Sequence, residues 1–152
     1  MRLMLGSNRF SEDLDFTTDL DNPQLHQVLI RTMNELIKQV PGVEIRDLKT
    51  SSGLSNKITI PIPEVSQLLT IKLDFSQREK VFLVKQGIIK TGLPISATVL
   101  ISYLDPVEIL AEKYRAIITR EKGRDLYDMW YLLNKGIRLD PDLIQKKLDY
   151  YH

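Results

Sequence analysis

Residues 9–16 read RFSEDLDF, and the folding of this stretch decides what the chain is. Phe10, Leu14 and Phe16 frame Ser11, Glu12, Asp13 and Asp15. In a strand, the two-residue period sets Asp13 and Asp15 on one side and Leu14 and Phe16 on the other. Carboxylates are depleted from strands because burying their charge costs solvation. Two acids on one strand face therefore mean either a solvated surface or a face that meets a cation.

A second acid-bearing strand is expected at 68–76, LLTIKLDFS. Leu69, Ile71, Leu73 and Phe75 take one side, and Thr70, Lys72, Asp74 and Ser76 the other. Between the two acid strands, Asp21 or Asn22 caps a helix with Pro23 in its first turn. Leu25, Val28, Leu29, Met33, Leu36, Ile37 and Val40 follow at helical spacing until the Pro41-Gly42 stop. VEIRDL (43–48) reads as a strand and TSSGLSN (50–56) as turn chemistry. KITIPIP (57–63) reads as a strand whose two prolines argue for a sheet edge. The stretch 77–102 is mixed and carries no assignment.

Three helices close the chain, at 105–120, 124–136 and 140–151. Two open with Asp-Pro, and the middle one stops at Gly136. At about 100° per residue, Ile109, Leu110, Tyr114, Ala116 and Ile117 form the inner stripe of the first, with Lys113 inside it and Arg120 at its edge. Glu108, Glu112, Arg115 and Thr119 are left to solvent. In the second, Leu126, Met129, Leu132 and Leu133 form the stripe, with Asp125 inside it and Asp128 at its edge. A lysine and an aspartate on inward faces need partners. Lys113 and Asp125 either pair with each other and tie the helices together, or hold an ammonium in a cleft that binds an anion. This order of elements predicts an α+β fold, with an α/β core over 1–104 and a helical part over 105–152.

The bulk composition narrows the classes. The chain has 152 residues, 43% hydrophobic and 27% charged, as in ordinary globular proteins. No apolar run is long enough to span a membrane, and MRLMLGSNRF lacks the apolar core of a signal peptide. With no cysteine, disulfides and thiolate metal sites are excluded, which fits a cytoplasmic home. The net charge is +1, but residues 1–24 sum to −3 and residues 77–124 to +4. That asymmetry describes either two solvated faces or an acidic metal site beside a basic polyphosphate site. Three strand carboxylates suit Mg²⁺, which prefers oxygen ligands and keeps waters or phosphates in its shell. His26 falls on the polar side of its helix and His152 at the terminus, so neither is a candidate catalyst.

Three segments together, RFSEDLDF, IKLDFSQRE and DPVEILAEKYRAIITREKGRDLYDMWYLL, resemble the AbiEii-type nucleotidyltransferases, the toxin side of abortive-infection toxin–antitoxin systems. The resemblance spans residues 6–135. It implies a DNA polymerase β-like nucleotidyltransferase core, a mixed sheet with packed helices. By motif position, Asp13 and Asp15 match the metal-binding acid pair. Asp74 matches the third carboxylate, a metal ligand or the group that deprotonates the attacking hydroxyl. Lys113 matches the functional lysine, on nucleotide phosphates, and Asp125 and Asp128 the acids of the last motif. Arg9 and Ser11 belong to the first motif. With Arg120 and Arg124, they are expected on the substrate side. The implied cofactor is Mg²⁺ or Mn²⁺. The implied partners are an NTP, an acceptor hydroxyl on RNA (tRNA included) or protein, and a cognate antitoxin.

The family sets a Gly-Gly-Thr or Gly-Ser turn and a short helix before the acid pair, where backbone amides hold phosphates. Here only five residues separate Ser7 from Asp13. Gly6-Ser7 therefore reads as the loop ahead of the acid strand, and the chain is expected to begin after that turn. That departure keeps two other readings open: a non-catalytic remnant that binds an antitoxin or other partner, and a metal-dependent nuclease, since paired aspartates serve that chemistry too.

Overall fold

The computed structural model describes residues 2–9, 13–48, 54–62, 66–78, 80–91, 97–120 and 122–150. In chain order the elements are α1 (Arg2–Leu5), β1 (Asp13–Thr17), α2 (Asn22–Gln39), β2 (Glu44–Leu48), β3 (Leu54–Pro61) and β4 (Leu68–Ser76). They continue with β5 (Val84–Thr91), β6 (Ala97–Leu104), α3 (Pro106–Thr119), α4 (Gly123–Asn134) and α5 (Pro141–Tyr150). The architecture is α+β with a mixed sheet. Contacts divide it into two units, Phe10–Glu79 and Met1–Arg9 with Lys80–His152. The hairpin of β5 and β6 therefore groups with the helices, a division that differs from the boundary expected at residue 104. Among the described residues no helix is long and apolar enough to cross a membrane.

In the Phe10–Glu79 unit the sheet order is β1-β4-β3-β2, with β1 parallel to β4 and the other pairs antiparallel. Asp21 caps α2, its carboxylate accepting from the Gln24 N–H while the Gln24 side chain accepts from the Asp21 N–H. Leu25, Leu29 and Met33 of α2 bury against Val43, Ile58 and Leu73, each worth about 1.5–3 kcal/mol when fully buried. The stripe is narrower than the sequence pattern, because Val28 and Ile37 are exposed. Gly42, at φ 79°, turns the chain after α2, and a Cβ there would stand 2.8 Å from Pro61.

The edge position expected for 57–63 is wrong. β3 lies inside the sheet, between β4 and β2. Pro61 is its last residue, where no ladder N–H is needed, and Pro63 lies outside the described residues. The expected turn at 50–56 also ran too far: Leu54, Ser55 and Asn56 are already paired in β3, while 50–53 lie outside the described residues.

The unassigned 77–102 stretch contains most of a two-stranded antiparallel hairpin, β5 and β6. Its Val, Ile and Thr content is strand-forming, but no clean alternation marks it. Gly87 leaves room for the Met4 side chain, whose Cε a Cβ there would meet at 2.6 Å. The Tyr131 hydroxyl donates to Leu5 O at 2.7 Å and ties α1 to α4. α4 ends as predicted at glycine. Gly136, at φ 79°, donates to Leu133 O, and Ile137 N donates to Leu132 O, a Schellman closure.

The inner faces of α3 and α4 depart most from the wheel. Glu108, assigned to solvent, is fully buried, and Glu112 and Arg115 are largely covered. Glu108 accepts from the Phe82 and Leu83 N–H groups. Lys147 of α5 is buried beside it, with Nζ 2.6 Å from Glu108 Oε1, 2.6 Å from Glu112 Oε1 and 2.7 Å from Lys80 O. All three ammonium protons have acceptors, so burial is tolerated. In α4 the buried positions are Asp125, Asp128 and Leu132, while Leu126 and Leu133 are exposed. Wheels place the apolar residues inward, and here charged side chains paired between neighbouring helices take inward positions instead.

Lys147→Ala is expected to lower stability by about 3–5 kcal/mol, because it leaves the fully buried Glu108 without its cation. Urea unfolding measures it, and a loss below about 1 kcal/mol, the worth of one ordinary hydrogen bond, would contradict the role given to the cluster.

Candidate functional site

The acid face is built by register. In the parallel pair of β1 and β4, Asp13 lies beside Lys72 and Asp15 beside Asp74. Partners in register project to the same side, so Asp13, Asp15, Lys72 and Asp74 form the corners of one patch. Neighbouring strands are about 4.8 Å apart, and alternate residues roughly 6.6 Å, so the three carboxylates lie within reach of a shared cation. The opposite side of the same residues sets this register. Phe16 pairs with Phe75, their rings stacked at 5.0 Å and 13°. A slip of one residue would exchange the aspartate face of β1 for the face that carries Leu14 and Phe16.

Lys72 Nζ lies 2.6 Å from Asp74 Oδ2. Its pKa is raised, chiefly by that hydrogen bond, against some desolvation, and Asp13 and Asp15 add to the field. Burial pushes the Asp74 carboxyl up, but hydrogen bonds from Lys72 and Ser55 and the Lys72 charge outweigh it and hold the group below the usual carboxylate range. Ser55, in register with Asp74 on β3, is buried, and its Oγ has no hydrogen bond of ordinary geometry.

The patch fits a divalent cation on two observations. An ammonium already stands in the field of all three carboxylates, and the buried Ser55 hydroxyl lies beside them, in register with Asp74. Asp13, Asp15 and Asp74 are the residues that would hold Mg²⁺ or Mn²⁺. Among the described residues no three acidic or imidazole groups already converge on one point, and Asp74 is turned to Lys72. Ser11, expected beside the acid pair, lies outside the described residues.

The second cluster is in the other unit. Asp125 and Asp128, one turn apart in the first half of α4, are fully buried. Lys113 of α3 reaches both, at 3.1 Å from Asp125 Oδ1 and 2.8 Å from Asp128 Oδ2. Arg120 grips Asp125 through Nε at 3.1 Å and Nη2 at 3.3 Å. Arg9, 119 residues away in sequence, grips Asp128 through Nε at 2.9 Å and Nη2 at 3.2 Å. Both arginines bind two-pronged, the strong geometry for a carboxylate. Burial raises the Asp125 carboxyl, but the bonds and charges of Lys113 and Arg120 prevail and hold it low.

Lys113 pairs with Asp125, as the ion-pair reading expected. It ties α3 to α4, and it belongs to a group of three cations and two carboxylates with an excess of one positive charge. The acids have no exposed surface, whereas the side chains of Lys113, Arg9 and Arg120 are 21%, 33% and 45% exposed. What solvent meets is therefore cationic, a surface that suits phosphate. Arg124 is exposed in the first turn of α4 and is not part of the network. Gly6–Arg9 forms a loop after α1, with Ser7 buried and the Arg9 N–H directed to Ser7 Oγ.

Sequence reasoning placed Lys72 and Asp74 on one face but gave Lys72 no role, although alternation alone carried the signal. It missed Glu108 and Lys147, whose partners lie on separate elements. The family model described as "Nucleotidyl transferase AbiEii toxin, Type IV TA system" matches residues 1–152. No curated protein and no solved structure matches the chain.

The Asp125 shift sets a pH test. A carboxyl held below its ordinary value of 3.8 contributes stability that is complete above about pH 4 and is lost as pH falls through the folded value. Asp125→Asn is expected to cost about 1–3 kcal/mol at pH 7 and to flatten the decline in urea midpoint below about pH 4. An unchanged acid limb would remove the network as its cause.

Proposed function

The chain belongs to the AbiEii nucleotidyl transferase toxin family, and from that premise we propose that it transfers a nucleoside monophosphate from an NTP to a hydroxyl on RNA or protein. The observation that carries this reading is the register of β1 against β4, which sets Asp13, Asp15 and Asp74 on one sheet face. A mixed sheet with an acid pair on one strand and a third acid on its parallel neighbour fits a DNA polymerase β-like core.

In the proposed reaction the acceptor oxygen forms a bond to the α-phosphorus. The bond from that phosphorus to the α–β bridging oxygen breaks, pyrophosphate leaves with the electron pair, and the hydroxyl proton passes to water. Bound Mg²⁺ or Mn²⁺ would activate the attacking oxygen and neutralise charge on the leaving pyrophosphate. Asp13, Asp15 and Asp74 are the residues that would hold that ion. Asp74, with its lowered pKa, is a poor proton acceptor and better suited to ligation than to general-base work. Lys113, Arg9 and Arg120 are assigned to the substrate phosphates from motif position alone, and Asp125 and Asp128 hold those cations in place. Ser11 and Arg124 are assigned to the substrate side from motif position alone. We place the activity in the cytoplasm, opposed by a cognate antitoxin.

Label transfer from α-³²P-NTP to RNA or protein tests the proposal. Wild-type protein is expected to transfer label with Mg²⁺ or Mn²⁺. Asp13→Ala is expected to lose it by about a hundredfold or more, since metal stabilisation is worth several kcal/mol. Metal-dependent shortening of RNA without label would identify a nuclease. Neither product from folded protein would identify a non-catalytic binding domain.

A further inference from the structure

The acid patch continues across the sheet as a row of cations. Reading from β1 outward, the register aligns Asp13 with Lys72, Lys72 with Lys57 of β3, and Lys57 with Arg46 of β2. All four therefore project from the same face. The adjoining row holds Asp15, Asp74 and Ser55. Three basic side chains thus stand directly opposite one another on adjacent strands, beside the candidate metal ligands.

Such a row is unfavourable by itself. Like charges directly opposite on neighbouring strands repel, and nothing in strand formation calls for them. Lys72 is compensated by Asp74 at 2.6 Å, and Arg46 only by Glu44 at 3.0 Å, with both side chains mostly exposed. Lys57, in the middle and exposed, has no ion pair or hydrogen bond among the described residues. A lysine without a partner between two other cations is the arrangement expected where an anion is to be received. Thr59 and Thr70, paired in the next row on the same face and partly exposed, add hydroxyls of the kind that contact phosphate.

The position of the row identifies the anion. An attacking hydroxyl must sit at the three carboxylates, against β1 and β4. A polymer that continues from that hydroxyl over β3 and β2 crosses roughly 10 Å of sheet and meets Lys57 and then Arg46. A chain with one negative charge per unit matches a row of cations spaced by single strands. A protein acceptor has no such repeat. We propose that Lys57 and Arg46, with Lys72 at the acid patch, bind the phosphodiester backbone of a single-stranded RNA acceptor. This narrows the acceptor class of the proposed function and rests on that reading for the chemistry, whereas the binding surface stands on register and charge alone.

The experiment measures fluorescence anisotropy of a short labelled single-stranded RNA over a salt series, without NTP. Wild type, Lys57→Ala, Arg46→Ala, the double variant and Lys38→Ala are compared. Lys38 is an exposed α2 lysine paired with Glu35 and removes the same charge elsewhere. The double variant is expected to bind RNA about tenfold more weakly at physiological salt. The slope of log K against log salt should fall by about 0.7 for each lost phosphate contact. Lys38→Ala should keep the wild-type slope. In label transfer the double variant should raise KM for RNA and leave KM for NTP unchanged. Because Lys57 opposes like charges, Lys57→Thr should raise Tm while weakening RNA binding, which a structural role would not do.

RNA affinity and slope unchanged in the double variant, an equal loss in Lys38→Ala, or label transfer only to protein would each overturn the inference. Lys57-dependent RNA binding by a wild-type protein that transfers no label would overturn the transferase reading and leave the binding surface standing.

Discussion

A carboxylate withdrawn from water must be met by positive charge or by N–H groups, and three clusters in this chain depend on that condition. Glu108 and Glu112 are met by Lys147 and by backbone amides. Asp125 and Asp128 are met by Lys113, Arg9 and Arg120. Asp74 is met by Lys72. The clusters differ in how completely the cation is enclosed. Lys147 is almost fully buried and has three acceptors, so it serves as a fixed tie between α3, α5 and residues 80–83. Lys72 is 41% exposed and holds one carboxylate among several.

The same condition explains where the sequence was legible. Alternation in 68–76 and in 13–16 described both acid strands and their polar faces, because the side-chain period of a strand needs no knowledge of its neighbours. The capped start of α2 and the glycine end of α4 were legible for the same reason, since caps are local. The position of β3 inside the sheet was not, because Pro61 looks the same at a strand end as at a sheet edge. The inner face of α3 was misread because the wheel assigned Glu108 to water, whereas Lys147 lies 39 residues further along. Arg9 and Asp128 are even further apart. Long-range pairing of charges leaves no periodic signal, and this is the part of the site that the sequence did not reveal.

Register turns these separate facts into a candidate centre. The stacked Phe16 and Phe75 on one side of the sheet and the acids on the other are two consequences of one alignment. The stack of Phe16 on Phe75 fits this register, which keeps the aspartates adjacent. The cationic row through Lys57 and Arg46 follows from the same alignment carried two strands further. A face that repels itself in isolation is expected to be stabilised by what it binds.

The central claim is that Asp13, Asp15 and Asp74 together hold a divalent cation. Crystals of the protein grown with Mn²⁺ and a non-hydrolysable NTP analogue, measured for anomalous scattering, test it most directly. The account predicts an anomalous peak within ligand distance of all three carboxylates, with Asp74 turned away from Lys72. A peak that engages other residues, or Asp74 still paired with Lys72 beside a bound ion, would contradict it.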